Sequence, residues 1–213
     1  MEAQSTTTPP YGQRLLPRLI DERADQGWQR PWASIPRSKD LSQGFRDISY
    51  REFSNAIDRC AYWIKDNIGI STTFEPLVYF PGASLDIRYQ ILVMAAVKTG
   101  HIMFFVSHRN SIDAHVSLLQ ESAAIRIIVP TIEPPALPAL LQRCSIEKVT
   151  IPELEYFLDI ELTLPPLRLF GDFSKWRGKS MLMLHTSGST GLPKVILIRH
   201  GYFETCDAFH LRP

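Results

Sequence analysis

The sequence predicts an α/β fold, a parallel sheet flanked by helices. Three observations carry this. Short apolar runs of strand length alternate with longer segments whose apolar residues recur at helical spacing. Those strand runs are apolar almost throughout, as strands covered on both faces are. A last pair of apolar runs, Met181–Leu184 and Val195–Ile198, flanks a loop rich in glycine and hydroxyls.

Each element has its own signal. Residues 1–12 are polar and read as a disordered tail. Leu15, Leu16, Leu19 and Ile20 predict a helix between Tyr11 and Ala24, and the stretch from Gln26 to Gln43, rich in Trp, Pro, Ser and Arg, reads as loop. Ser49-Tyr50-Arg51-Glu52 fits a capping box. Behind it Phe53, Ala56, Ile57, Cys60, Ala61 and Ile64 repeat at helical spacing, and Gly69 suits the helix stop. The alternation follows: strand Leu77–Phe80, helix Ser84–Lys98 with Ser84 as cap and Gly100 beyond its end, strand Ile102–Val106, helix Ser111–Glu121, strand Ile125–Val129. A weaker helix, Pro135–Arg143, is interrupted by Pro138; a short strand, Lys148–Ile151, and a short helix, Pro152–Leu158, complete the series. Thr163-Leu164-Pro165-Pro166 reads as a break. The expected division is a tail over residues 1–12, an α/β layer over 13–162 and a strand–loop–strand unit over 163–213.

Composition narrows the class. The chain has 213 residues, 45% of them hydrophobic and 21% charged, which is globular usage. A formal net charge of +1 implies no broad attraction to nucleic acid or to an anionic membrane. Its longest apolar run, Ile91–Val97, is far too short to span a bilayer, and the polar amino terminus is not a secretory signal. Cys60, Cys144 and Cys206 are an odd, widely spaced set that fits neither a zinc site nor a disulfide framework. A reducing, cytoplasmic compartment is the expectation. His108, Asp113 and His115 are close in sequence, but Asp113 and His115 fall on different helix faces, so no metal site is assigned there. Cys206, with His200 and His210 near it, is read as a buried structural cysteine and not as a nucleophile.

The loop His185-Thr186-Ser187-Gly188-Ser189-Thr190-Gly191-Leu192-Pro193-Lys194 carries the chemistry. Its glycines let backbone N–H groups turn inward and form an anion nest. Ser187, Ser189 and Thr190 add hydroxyl donors, and Lys194 adds a positive charge. A P-loop would run from a strand into a helix with Ser or Thr after its lysine. Here Val195-Ile196-Leu197-Ile198 follows, a run of strand character, so the loop joins two strands. A plain surface turn would not need Pro193 and Lys194 at this spacing between two apolar runs.

Thr186 to Lys194 resembles the phosphate-binding core motif of the adenylate-forming superfamily, which includes acyl-CoA synthetases, luciferases and the adenylation domains of nonribosomal peptide synthetases (NRPS). His200 falls where that family often has a histidine, while Val195 stands where it usually has glycine. Ile48–Phe53 is similar to the family's first core motif, and Val97-Lys98-Thr99-Gly100 to the end of its second. Ser107-His108-Arg109-Asn110-Ser111, followed by Ala114-His115 and Leu118-Leu119, resembles the adenylation domain of fungal NRPS-like carboxylate reductases. In residue terms these upstream matches are helix capping and packing.

The resemblance implies the N-terminal part of an adenylation domain. The family activates a carboxylic acid with Mg2+ and ATP to an acyl-adenylate and passes the acyl group to a thiol. In the reductase branch a carrier domain's phosphopantetheine takes it, and an NADPH-dependent domain releases it; this chain carries neither. The implied phosphate-binding residues are Thr186, Ser187, Gly188, Ser189, Thr190, Gly191 and Lys194. No catalytic residue is assigned, because the family's acceptor pocket, ribose-binding acid and catalytic lysine lie downstream of the loop. The alternative is a truncated, non-catalytic remnant that binds a nucleotide or a partner chain. The 213-residue protein is therefore expected not to catalyse ATP–pyrophosphate exchange with any acid; robust exchange by the purified chain would reverse that reading.

Overall fold

The computed structural model describes residues 12–38, 40–81, 87–159, 161–162, 164–167, 172–188 and 191–204. In chain order the elements are α1 (Leu16–Asp25), β1 (Ala33–Pro36), β2 (Phe45–Ile48), α2 (Tyr50–Asn67), β3 (Pro76–Tyr79), α3 (Arg88–Lys98), β4 (Ile102–Phe105) and α4 (Ile112–Ser122). They continue with β5 (Arg126–Val129), α5 (Leu137–Arg143), β6 (Glu147–Thr150), α6 (Leu154–Leu158), α7 (Phe173–Trp176), β7 (Ser180–His185) and β8 (Val195–Arg199).

A six-stranded sheet in the order β6-β5-β3-β4-β7-β8 forms the centre. All its neighbours pair in parallel except β7 and β8, which are antiparallel. The strands are apolar on both sides because both sides are covered. Leu77, Tyr79, Met103 and Ile128 face α1, α2 and α3. Val78, Phe80, Phe104, Ile127 and Val129 face Leu118 and Leu119 of α4 and Leu137 and Leu140 of α5. The crossovers α3 and α4 thus lie on opposite faces, which puts β4 on one side of β3 and β5 on the other.

Local capping behaves as the sequence predicts. The Ser49 hydroxyl accepts from the Glu52 N–H (3.1 Å), and the Ser49 N–H donates to the Glu52 carboxylate (2.8 Å). Such a cap is worth about 1 kcal/mol. Gly69 has φ +110, and its N–H closes on the Ile64 carbonyl after α2. Ser111 caps α4 by accepting from the Ala114 N–H (3.2 Å).

Three expectations are corrected. The stretch 26–43 is not all loop: β1 pairs antiparallel with β2, Ala33 opposite Ile48, and a short 3-10 turn, Leu41–Gln43, lies between them. Pro36 ends the first strand, a place where its missing N–H costs the ladder nothing. Trp32 stacks on Phe53 of α2 with ring centroids 3.5 Å apart, which fixes the hairpin to the core. The first helix begins at Leu16, with Leu15 extended and buried before it. A start at Tyr11 would have placed Pro17 inside the helix, where its ring clashes with the carbonyl four residues back; instead it sits in the first turn. Pro138 likewise opens α5 and does not interrupt it. Helix α7 was not expected from the sequence. Ser84, residues 1–11 and Cys206 lie outside the described residues. Cys60 is buried, which pushes its thiol pKa far up, and Cys144 is half-buried.

The first layer is tied together by a buried charge cluster. Lys98, at the end of α3, is 0% exposed. Its Nζ donates to both carboxylate oxygens of Asp21 in α1 (2.9 and 3.0 Å) and to Asp58 in α2 (2.7 Å). Ser54 donates its hydroxyl to Asp21 (2.8 Å), and the Leu167 N–H donates to Asp58 (3.0 Å). Burial raises the Asp58 pKa, against the opposing pull of Lys98. Deleting the ammonium strands two buried carboxylates, so Lys98→Met should lower the free energy of unfolding by about 3–5 kcal/mol in urea titration. A loss below about 1 kcal/mol would mean the cluster is not a stabilising contact.

Candidate functional site

β7 lies beside β4 in parallel, with Met103 opposite Leu182 and Phe104 opposite Met183. Their carboxyl ends therefore point the same way, and the segments that leave them meet. Residues 107–111 follow β4, and the glycine–hydroxyl loop follows β7. Crevices at the carboxyl ends of parallel strands are where α/β folds bind ligands.

The antiparallel pairing of β7 with β8 sets His185 opposite Val195 and so fixes the width of the loop between them. Two bonds close it: Thr186 N–H to the Lys194 carbonyl (3.1 Å) and Lys194 N–H to the Thr186 hydroxyl (3.0 Å). A third, Gly191 N–H to the Gly188 carbonyl (3.0 Å), makes an inner turn. Gly188 has φ +70, and a Cβ there would lie 2.8 Å from the Gly191 carbonyl oxygen. Only glycine fits. Ser189 and Thr190 lie outside the described residues.

Three of the loop's N–H donors are thus used inside it. The N–H groups of Ser187 and Gly188 make no hydrogen bond among the described residues. Thr186, Ser187 and Lys194 are exposed. The Lys194 ammonium makes no ion pair among the described residues. The arrangement offers unspent N–H and O–H donors and an exposed cation to an anion.

The residues that hold this loop were not picked out by sequence reasoning. His185, the last residue of β7, accepts the Ser107 N–H at Nε2 (3.0 Å), with Asn110 Nδ2 at 3.4 Å from the same atom. Its Nδ1 lies 2.8 Å from the Thr186 carbonyl. At the other arm, Glu121 of α4 accepts the Val195 N–H (3.2 Å). The only signal in the sequence was the Ser107–Ser111 stretch. Ser111 is a helix cap as expected, but the stretch also reaches across 78 residues to His185.

The other histidines are elsewhere. His200 is at the far end of β8 from the loop. It is buried, its ring is 5.6 Å from Trp176, and burial pushes its pKa down to about 4. His115 is buried edge-on to Phe80, with its pKa also pushed down to about 4 by burial, whereas Asp113 points out and pairs with Arg143 (2.6 Å). Both imidazoles are held neutral near pH 7. Among the described residues no three His, Cys, Asp or Glu side chains stand together as a metal site. Nor is any helix among them long and apolar enough to cross a membrane.

The family model for AMP-binding enzymes matches residues 28–211. The chain belongs to the AMP-binding enzyme family. Among curated relatives of this family member is a carboxylic acid reductase of Neurospora crassa, 33% identical over 96% of this chain and 19% of that protein. An isocyanide synthase–NRPS hybrid of Aspergillus fumigatus is 32% identical over 96% of this chain and 13% of that protein. The chain thus spans a fifth or less of the length of these relatives. Among solved structures, the Klebsiella oxytoca NpsA N-terminal subdomain in complex with 3-hydroxybenzoyl-AMSN superposes with a TM-score of 0.61. That match covers 88% of this chain and 41% of the other at 20% identity, and it shows a shared fold.

Gly188→Ala should open the inner turn: amide exchange at Gly191 and Thr186 is expected to rise by about tenfold or more, because the Cβ collides with backbone at a strained φ. Gly178→Ala, where a Cβ meets nothing within 4 Å, should leave exchange unchanged. Equal behaviour of the two variants would refute the steric account.

Proposed function

We propose that the loop from Thr186 to Lys194 cradles the phosphates of ATP in a reaction that activates a carboxylic acid as its acyl-adenylate. The observation that carries this is the loop itself, in a member of the AMP-binding family. It is a strand–loop–strand closed by its own backbone, with donors left over and Lys194 exposed and unpaired among the described residues.

The chemistry is electrostatic. When a carboxylate attacks the α-phosphate, negative charge builds on the departing pyrophosphate. Preorganised donors aimed at that charge stabilise it without reorganising. Ser187 and Gly188 would give N–H groups, Thr186 and Ser187 hydroxyls, Ser189, Thr190 and Gly191 the rest of the wall, and Lys194 the cation. Mg2+ would travel with the nucleotide, held by phosphate oxygens and water, which suits this hard ion and the carboxylate-free loop. It would neutralise phosphate charge when bound.

In a protein of which this chain is the amino-terminal portion, the acyl group would pass to a carrier thiol. The fungal reductase and NRPS-hybrid relatives support that partner. The rival reading, a binding module without catalysis, shares the loop and differs only in turnover.

Calorimetric titration of the 213-residue chain with Mg-ATP tests the shared step. Binding is expected, and Lys194→Ala should weaken it by roughly ten- to a hundredfold, the worth of one charge-assisted hydrogen bond. No binding by the parent chain, or full affinity in Lys194→Ala, would remove the phosphate assignment.

A further inference from the structure

The His185 ring joins two segments that the chain separates by 78 residues. Its tautomer follows from what it touches. The Ser107 backbone N–H can only donate, so Nε2 carries a lone pair. The Thr186 carbonyl can only accept, so the proton of the neutral imidazole is on Nδ1, which donates to it at 2.8 Å. Asn110 Nδ2, at 3.4 Å, points a second donor at the same Nε2. Every contact around the ring agrees with one tautomer.

The engaged carbonyl matters because of where it is. Thr186 is the first residue after β7 and lies in the loop itself. A cradle for phosphate needs its N–H groups free and its carbonyl oxygens turned away, since each inward oxygen repels the ligand. By taking the Thr186 oxygen onto Nδ1–H, the ring removes one repulsive group. By accepting from Ser107 it is itself held by the backbone after β4, next to the Ser111-capped start of α4. The Phe104 ring packs against it edge-on at 6.5 Å. Glu121, at the other end of the same helix, holds the Val195 N–H where the loop ends. Residues 107–121 thus grip both arms of the loop.

We propose that His185 is a positioning residue for the phosphate loop: as the Nδ1–H tautomer, anchored by Ser107 and Asn110, it turns the Thr186 carbonyl out of the cradle. The inference rests on the phosphate reading of the loop for its consequence, but not for its geometry, so the two can fail separately.

Three variants separate the ring's jobs. His185→Phe keeps the packing against Phe104 and loses both bonds. His185→Asn places an amide donor near the Nδ1 position and loses the Ser107 contact. His185→Gln reaches toward Ser107 and loses the donor to Thr186. Nitrogen-15 NMR of the parent chain should show His185 protonated at Nδ1, and amide exchange at Ser107, whose N–H the ring accepts, should quicken in His185→Phe. Mg-ATP affinity should fall by about tenfold in His185→Phe and His185→Gln, the loss of one hydrogen bond at the site, and stay within about threefold in His185→Asn. A merely structural ring would make all three variants track their melting temperatures and would give no rescue by Asn.

An Nε2–H tautomer overturns the proposal, as does equal affinity in all variants of a chain that binds Mg-ATP. If the parent chain does not bind, the phosphate reading falls, and the tautomer and exchange results still decide whether His185 sets the loop.

Discussion

The buried ammonium of Lys98 is the contact on which the layout depends. It joins the last turn of α3 to carboxylates on α1 and α2, and Asp58 passes the link on by accepting the N–H of Leu167. The next residue, Arg59, is also buried and donates to the carbonyls of Phe157 (2.6 Å) and Leu162 (2.5 Å). Two adjacent side chains of α2 therefore pin the segments that follow β6. Among the described residues, the Nη2 of Arg59 is buried without a hydrogen bond. Apolar residues of the same volume would often be as stable as such ion clusters. What charges add is direction, because a misplaced helix would leave an unpaired ion in the core. With this packing fixed, β7 falls beside β4, and only then do His185 and Ser107 meet.

Much of this was legible in the sequence, for local reasons. The capping box at Ser49–Glu52, the cap at Ser111 and the breaks at Gly69 and Gly100 each act within a few residues, so spacing reveals them. The strands β3, β4 and β5 announce themselves because both faces are covered. The loop is legible because glycine, hydroxyl and lysine must come in a fixed order between two apolar runs.

What was not legible is non-local. β1 ends on a proline, lies among tryptophans and arginines, and becomes a strand only through its pairing with β2. Lys98 sits at a helix end, where a lysine normally reaches solvent; nothing within ten residues reveals Asp21 or Asp58. His185 is written as the residue before a motif. Its partners are 75 and 78 positions away, and the sheet order that joins them cannot be read from any single segment.

Among the described residues β8 is the last strand of the sheet, with Ile196 44% and Leu197 54% exposed beside a groove lined by Ile198, Arg177 and Tyr202. A strand edge of exposed apolar residues is a template for unwanted pairing between molecules, the pattern from which aggregates grow. The run Val195–Ile198 is bracketed by Lys194 and Arg199. Charges so placed act as gatekeepers, since stacking two copies in register would bring like charges together. Lys194 then holds two posts at once. The cation proposed to face the nucleotide also guards an apolar edge, so the same position answers to colloidal behaviour as well as to chemistry.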